Sequence, residues 1–146
     1  MSDMQLIKDY IDLCAAQARY CRFLDTKDWD AYRELLTEDY ELDISEGTGI
    51  PLIVGRDQAI TTIRASVGAA KTVHQVHNPE IRVNGDEAQA TWALQDRLVF
   101  SSDRPAITGY GHYHQRWVRR NGEWKLAALR LTRLLLEMQP PAKPAV

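Results

Sequence analysis

Two Asn-Gly pairs, Asn84-Gly85 and Asn121-Gly122, divide the second half of the chain into stretches whose apolar residues alternate. Asn-Gly between alternating runs is a hairpin signature, because a two-residue turn of the right twist needs backbone angles that these two residues tolerate. The spacing predicts strands over about 71 to 83, 87 to 101, 106 to 119 and 124 to 137. The first half has a different period. Residues 4 to 25 repeat at three and four, with Ile7, Ile11, Cys14, Ala18 and Cys21 on one stripe, which predicts a helix buried along that stripe. Asp28 caps a short second helix from Trp29 to Leu36, Tyr40, Leu42 and Ile44 alternate as a strand, and Pro51 to Val54 adds a short strand. Gly55-Arg56-Asp57 opens a third helix with Ile60, Ile63 and Val67 on one face. Helices first and an antiparallel meander afterwards predict an α+β fold, and strands this long must twist and curl. About three helices packed in the hollow of such a sheet make a cone that encloses a small-molecule pocket. One domain is expected over residues 1–138, with 139–146 as a Pro-rich tail that cannot continue a strand.

Composition removes several classes. The chain has 146 residues, 45% of them apolar and 26% charged, with a net charge of −2, which is ordinary for a soluble globular domain. Its one tight basic pair, Arg119-Arg120, is not the stripe a nucleic-acid binder shows, so no nucleic acid is expected as partner. No stretch approaches the roughly 18 apolar residues of a membrane span. The N-terminus, MSDMQLIKDY, has acids where a secretion signal has basic and apolar residues, so a cytoplasmic protein is expected. Cys14 and Cys21 would sit roughly 10 Å apart on a helix, beyond disulfide reach, and read as small apolar residues.

Asp25 is the residue that asks most for an explanation. On the helical wheel it falls within the apolar stripe, where a carboxylate is costly unless it turns back to cap backbone amides or finds a donor. His74 lies in the first long strand, in Lys71-Thr72-Val73-His74-Gln75-Val76-His77-Asn78, and histidine is the usual proton carrier near neutral pH. On the third long strand Tyr113 shares a face with Gly109, Gly111, Gln115 and Trp117, an inward row in which glycines would leave room for a ligand. Leu94 and Asp96 share the inward face of the preceding strand, and Leu131 and Arg133 that of the last. Asp96 and Arg133 either bind a polar substrate group or satisfy each other as an ion pair. His112-x-His114, with Arg116 on the same face, reads as an outward polar row, and no metal is expected. Trp124, Leu126 and Ala128 alternate on what would be the outer face, more apolar than water requires, which predicts self-association.

Three stretches carry a resemblance: Phe23-Leu24-Asp25-Thr26-Lys27-Asp28-Trp29-Asp30, Thr72-Val73-His74 with Asn78, and Asn121-Gly122-Glu123-Trp124-Lys125-Leu126. Together they resemble the SnoaL-like group of the nuclear-transport-factor-2-like superfamily over roughly residues 5 to 135. The nearest enzymes are scytalone dehydratase, the bile-acid 7α-dehydratase and the hexachlorocyclohexane dehydrochlorinase. The resemblance implies an aspartate at the end of helix one that orients a proton-abstracting histidine, and Asp25 and His74 match those positions. Tyr20 stands where the bile-acid dehydratase has a catalytic tyrosine, although an ideal helix points it about 140° from Asp25. Tyr113 matches a pocket position. Asp96 and Arg133 depart from the apolar dehydrochlorinase pocket, so dehydrochlorination is not expected. The implied activity is a cofactor-independent, dehydratase-type lyase acting on a small hydrophobic or cyclic hydroxylated substrate, with no cofactor. The alternatives are an isomerase or polyketide-type cyclase on the same dyad, or a non-catalytic ligand-binding or structural subunit resembling a ring-hydroxylating dioxygenase β chain. The resemblance also implies a homodimer or homotrimer.

Overall fold

A computed structural model describes residues 1–101 and 103–141. Helix α1 (Asp3–Thr26) starts at Ser2, whose hydroxyl accepts from the Gln5 N–H. It ends at Lys27, which takes the left-handed conformation (φ 60°). Asp28 then caps α2 (Trp29–Glu34) by accepting from the Ala31 N–H at 3.2 Å. Next come β1 (Leu36–Asp43), a single distorted turn α3 (Ser45–Thr48), β2 (Ile53–Val54) and α4 (Arg56–Val67). The rest is a meander of β3 (Lys71–Asn84), β4 (Glu87–Val99), β5 (Ala106–Arg120) and β6 (Glu123–Gln139). At the β5–β6 turn Asn121 and Gly122 both have positive φ, as the alternating pattern around Asn-Gly requires. Pro140 and Pro141 follow β6 without extending it, and the remainder of the predicted tail, 142–146, lies outside the described residues. Among the described residues no helix is long and apolar enough to cross a membrane.

The six strands form one curved, unclosed sheet in the order β2-β1-β6-β5-β4-β3, and the helices pack on it. Only the β1–β6 pairing is parallel; the others are antiparallel. Two irregularities bend the β5–β6 hairpin. Trp117 pairs with Leu126 and Arg116 with Ala128, so Ala127 is an extra residue, and a second shift falls between Tyr110 and Gly111. A bulge reverses which face the residues beyond it occupy. Trp124 (6% exposed) and Leu126 (0%) therefore belong to the core, not to an apolar outer face, and Ala128 is half-buried. The prediction of self-association loses its basis at those positions. With Leu126 enclosed, Leu126→Ala would remove about 2–5 kcal/mol of stability.

Helix α1 also corrects its predicted face. Ile7 and Ile11 are 55% and 60% exposed and Ala18 is exposed, whereas Asp9, Leu13, Ala16, Gln17, Tyr20, Cys21 and Leu24 are buried. The buried face carries polar side chains because each meets a partner on the sheet. Asp9, fully enclosed, accepts from both terminal nitrogens of Arg119, and Gln5 donates to it at 3.0 Å. The Gln115 amide donates to Gln17 at 2.7 Å, while its carbonyl accepts from the Trp92 and Trp117 indoles, each at 2.9 Å. Burying such groups is tolerable only when they are paired, and here they pin α1 across the sheet. Both cysteines are free, with Cys21 buried and Cys14 half-buried.

Candidate active site

Asp25 lies in the last turn of α1, at the margin of the buried face and not in its middle. The early end of the helix at Thr26 lets its carboxylate reach β3, where alternation puts Thr72, His74 and Val76 on the concave side. Oδ1 of Asp25 is 2.6 Å from Nδ1 of His74 and accepts from the Thr72 hydroxyl at 2.9 Å; Oδ2 accepts from the His74 backbone N–H at 2.8 Å. The carboxylate is thus held at both oxygens, with its side chain 20% exposed and that of His74 8% exposed. Against a carboxylate, Nδ1 is the ring nitrogen that carries the proton. Lys27 Nζ donates to the Thr72 hydroxyl at 2.7 Å, which leaves that hydroxyl's proton for Asp25. Burial pushes the Lys27 ammonium below its usual value, and the charge of Asp25 opposes that. Neither Thr72 nor Lys27 stands out in the sequence. A non-glycine residue just past a helix end, where the left-handed conformation is common, was the available signal.

His74 lines a half-open, mainly apolar cavity of about 140 Å³ between α1, α4 and the concave sheet. Tyr20, Asp96, Tyr113, Leu131 and Arg133 line it as well, with Leu24, Leu42, Ile63 and Val67 as apolar wall. Tyr20 reaches this space because it belongs to the buried face of α1, so no early end of the helix is needed to bring it there. Its ring stands edge-on to Tyr113 at 5.9 Å and tilted against Tyr32 at 5.2 Å. Burial holds both the Tyr20 and Tyr113 phenols well above their usual range, reinforced at Tyr20 by neighbouring tyrosines and at Tyr113 by Cys21 and Asp96, so each is a neutral donor. Burial likewise pushes the Cys21 thiol up to about 12, with Asp25 adding to the effect.

Asp96 and Arg133 form a two-pronged ion pair, Nη1 to Oδ1 at 2.6 Å and Nη2 to Oδ2 at 2.9 Å. They satisfy each other and also face the cavity. The glycines serve this pair and the sheet, not a ligand. A side chain on Gly109 would collide with Arg133 Nη1 and Asp96 Oδ1, and one on Gly111 with the Thr132 carbonyl. Gly111 and Leu94 are buried but do not line the cavity. His112 and His114 lie on the other face, half-buried, with His114 Nε2 2.9 Å from the Thr132 hydroxyl; no cluster of three metal-ligating side chains occurs among the described residues.

A curved mixed sheet with helices in its hollow and a ligand-sized cavity between them defines the nuclear-transport-factor-2-like class. Within that class the chain belongs to the SnoaL-like domain family, whose profile matches residues 5–130. A protein of Gibberella zeae provisionally named a cyclase is 23% identical over 129 residues, 81% of this chain and 86% of that one. Two solved structures share the fold. One is a hexachlorocyclohexane dehydrochlorinase (LinA) of type 2, with TM-score 0.84 and 16% identity, covering 99% of this chain and 100% of that one. The other, from Novosphingobium aromaticivorans and provisionally named a scytalone dehydratase, has TM-score 0.81 and 22% identity over all of both chains.

Proposed function

We propose that the chain is a cofactor-independent lyase of the dehydratase type, in which His74 and Asp25 work as an acid–base pair on a small cyclic hydroxylated substrate. The observation that carries this reading is the 2.6 Å contact between Asp25 Oδ1 and His74 Nδ1, made at the wall of a mainly apolar cavity. His74 Nε2 takes a proton from carbon beside a carbonyl. Asp25 holds the tautomer that makes Nε2 basic and stabilises the imidazolium that forms, as the aspartate of a catalytic triad does. Tyr113 and Tyr20, kept protonated, donate to the carbonyl oxygen as charge develops on it. Hydroxide then leaves as water with the proton that the imidazolium supplies, and an alkene remains. Exclusion of water strengthens each of these electrostatic contacts. The names of the Gibberella and Novosphingobium relatives agree with proton chemistry on small cyclic compounds.

A subunit whose role is packing alone has no use for a carboxylate–imidazole pair at a cavity wall. The same parts acting on a substrate without a leaving group would move a double bond, so the test reads the product. A panel of β-hydroxy cyclic ketones is incubated with the protein, and enone absorbance is followed together with release of water. His74→Ala should lower turnover by at least about 10²–10⁴-fold with the fold intact by circular dichroism. Full turnover in that variant would sink the mechanism.

A further inference from the structure

We infer that the cavity selects an uncharged ligand no larger than a single six-membered ring, and that Asp96 is the residue that refuses carboxylates. The inference deepens the lyase reading and rests on the same cavity. Its volume of about 140 Å³ is close to that of an engineered apolar cavity of about 150 Å³ that holds benzene. A fused bicycle would have to push the wall apart or protrude from the mouth, and the wall is anchored on both sides. Tyr20 and Tyr113 are locked edge-to-face at 5.9 Å, and the Asp96–Arg133 pair is wedged against Gly109, where there is no space for even one more carbon.

Charge argues the second half. Arg133 is the only lysine or arginine among the described residues lining the cavity. Unpaired, it would be a fork for a carboxylate. Both of its terminal nitrogens are instead spent on Asp96, at 2.6 and 2.9 Å, and the Asp96 side chain is 4% exposed. Asp96 is also the register partner of His74 across β3 and β4, so an entering anion would meet the Asp96 carboxylate against one guanidinium already taken. Lys27, the other cation near the pair, is turned to Thr72 and does not line the cavity. An anion would lose far more hydration than a neutral group and find no unpaired cation in return. A neutral hydroxyl or carbonyl loses less and finds the Tyr20 and Tyr113 phenols. Asp96 is therefore a specificity residue.

The test is calorimetric titration of the full chain with three non-reacting probes: phenol, benzoate and naphthol. Phenol should bind, and benzoate and naphthol should each bind more weakly by about tenfold or more. Asp96→Asn keeps the shape and releases the guanidinium, so benzoate should gain about tenfold while phenol changes little. Benzoate or naphthol binding the unaltered chain within about tenfold of phenol would overturn the inference, as would no saturable phenol binding or no benzoate gain in a folded D96N. If D96N does not fold, the ranking on the unaltered chain decides alone. These are equilibrium measurements on molecules that do not react, so their failure leaves the role of His74 to be judged by turnover of H74A.

Discussion

Helix α1 carries two carboxylates inward, Asp9 near its start and Asp25 near its end, and their partners differ in kind. Asp9 is fully buried and met by Arg119, a cation that never titrates in the working range, with Gln5 filling a remaining lone pair. The cavity that holds His74 and Tyr113 does not reach it. Asp25 is met by an imidazole, a hydroxyl and one backbone N–H, and its neighbour opens on the cavity. One end of the helix is a fastening; the other is the end we propose to move a proton. The identity of the partner, more than the burial of the acid, makes the difference.

The comparison breaks most sharply with Asp25→Asn. An amide presents an NH₂ or a carbonyl to Nδ1 and no longer stabilises imidazolium, so turnover should fall by about 10³–10⁴-fold while the melting temperature moves little. Turnover within tenfold of the unaltered chain would place Asp25 beside Asp9 as a structural acid. Arg119→Met tests the other end. Leaving Asp9 buried without its cation should cost about 3–5 kcal/mol by urea denaturation while turnover of the folded fraction stays within about threefold. A large loss of turnover at unchanged stability would show that the two ends are coupled.

The last test is alkaline titration of stability. Tyr20, Tyr32, Tyr40 and Tyr113 are each held above their usual value, chiefly by burial. In the unfolded chain they ionise near pH 10, so above that pH the unfolded state binds fewer protons and stability falls, by about 1.4 kcal/mol per pH unit for each tyrosine involved. Below pH 10 these groups contribute no slope. Stability independent of pH between 10 and 11 would mean that the cavity wall is wet.

The strands were legible because their signals are local: alternation, and Asn-Gly where two residues must reverse the chain. The buried face of α1 was not. Its polar members, Asp9 and Gln17, are explained only by Arg119 and Gln115, roughly a hundred residues away, so the wheel favoured the apolar stripe of Ile7 and Ile11 that faces outward. The outward assignment of Trp124 and Leu126 failed for a related reason, since one extra residue at Ala127 reverses parity and leaves no mark in the pattern. Asp25 and His74 could be named together because each needed what the other supplies, although the wheel position argued for Asp25 was mistaken. Thr72 and Lys27 escaped notice, being residues whose part depends on where a helix stops.

The single parallel pairing has a consequence for assembly. β3 to β6 are neighbours in sequence and can zip as successive hairpins, whereas β1 must wait for β6, to which it is tied by the Leu126 N–H donating to Leu35 at 2.8 Å and by the Leu36–Leu126 register. Helix α4 and β2 pack on β1, so Leu42, Ile63 and Val67 take their places only after the last strand has emerged. A chain emerging from the ribosome exposes that half of the wall until β6 has emerged. The β1 side of the wall around His74 therefore closes only once β6 is in place.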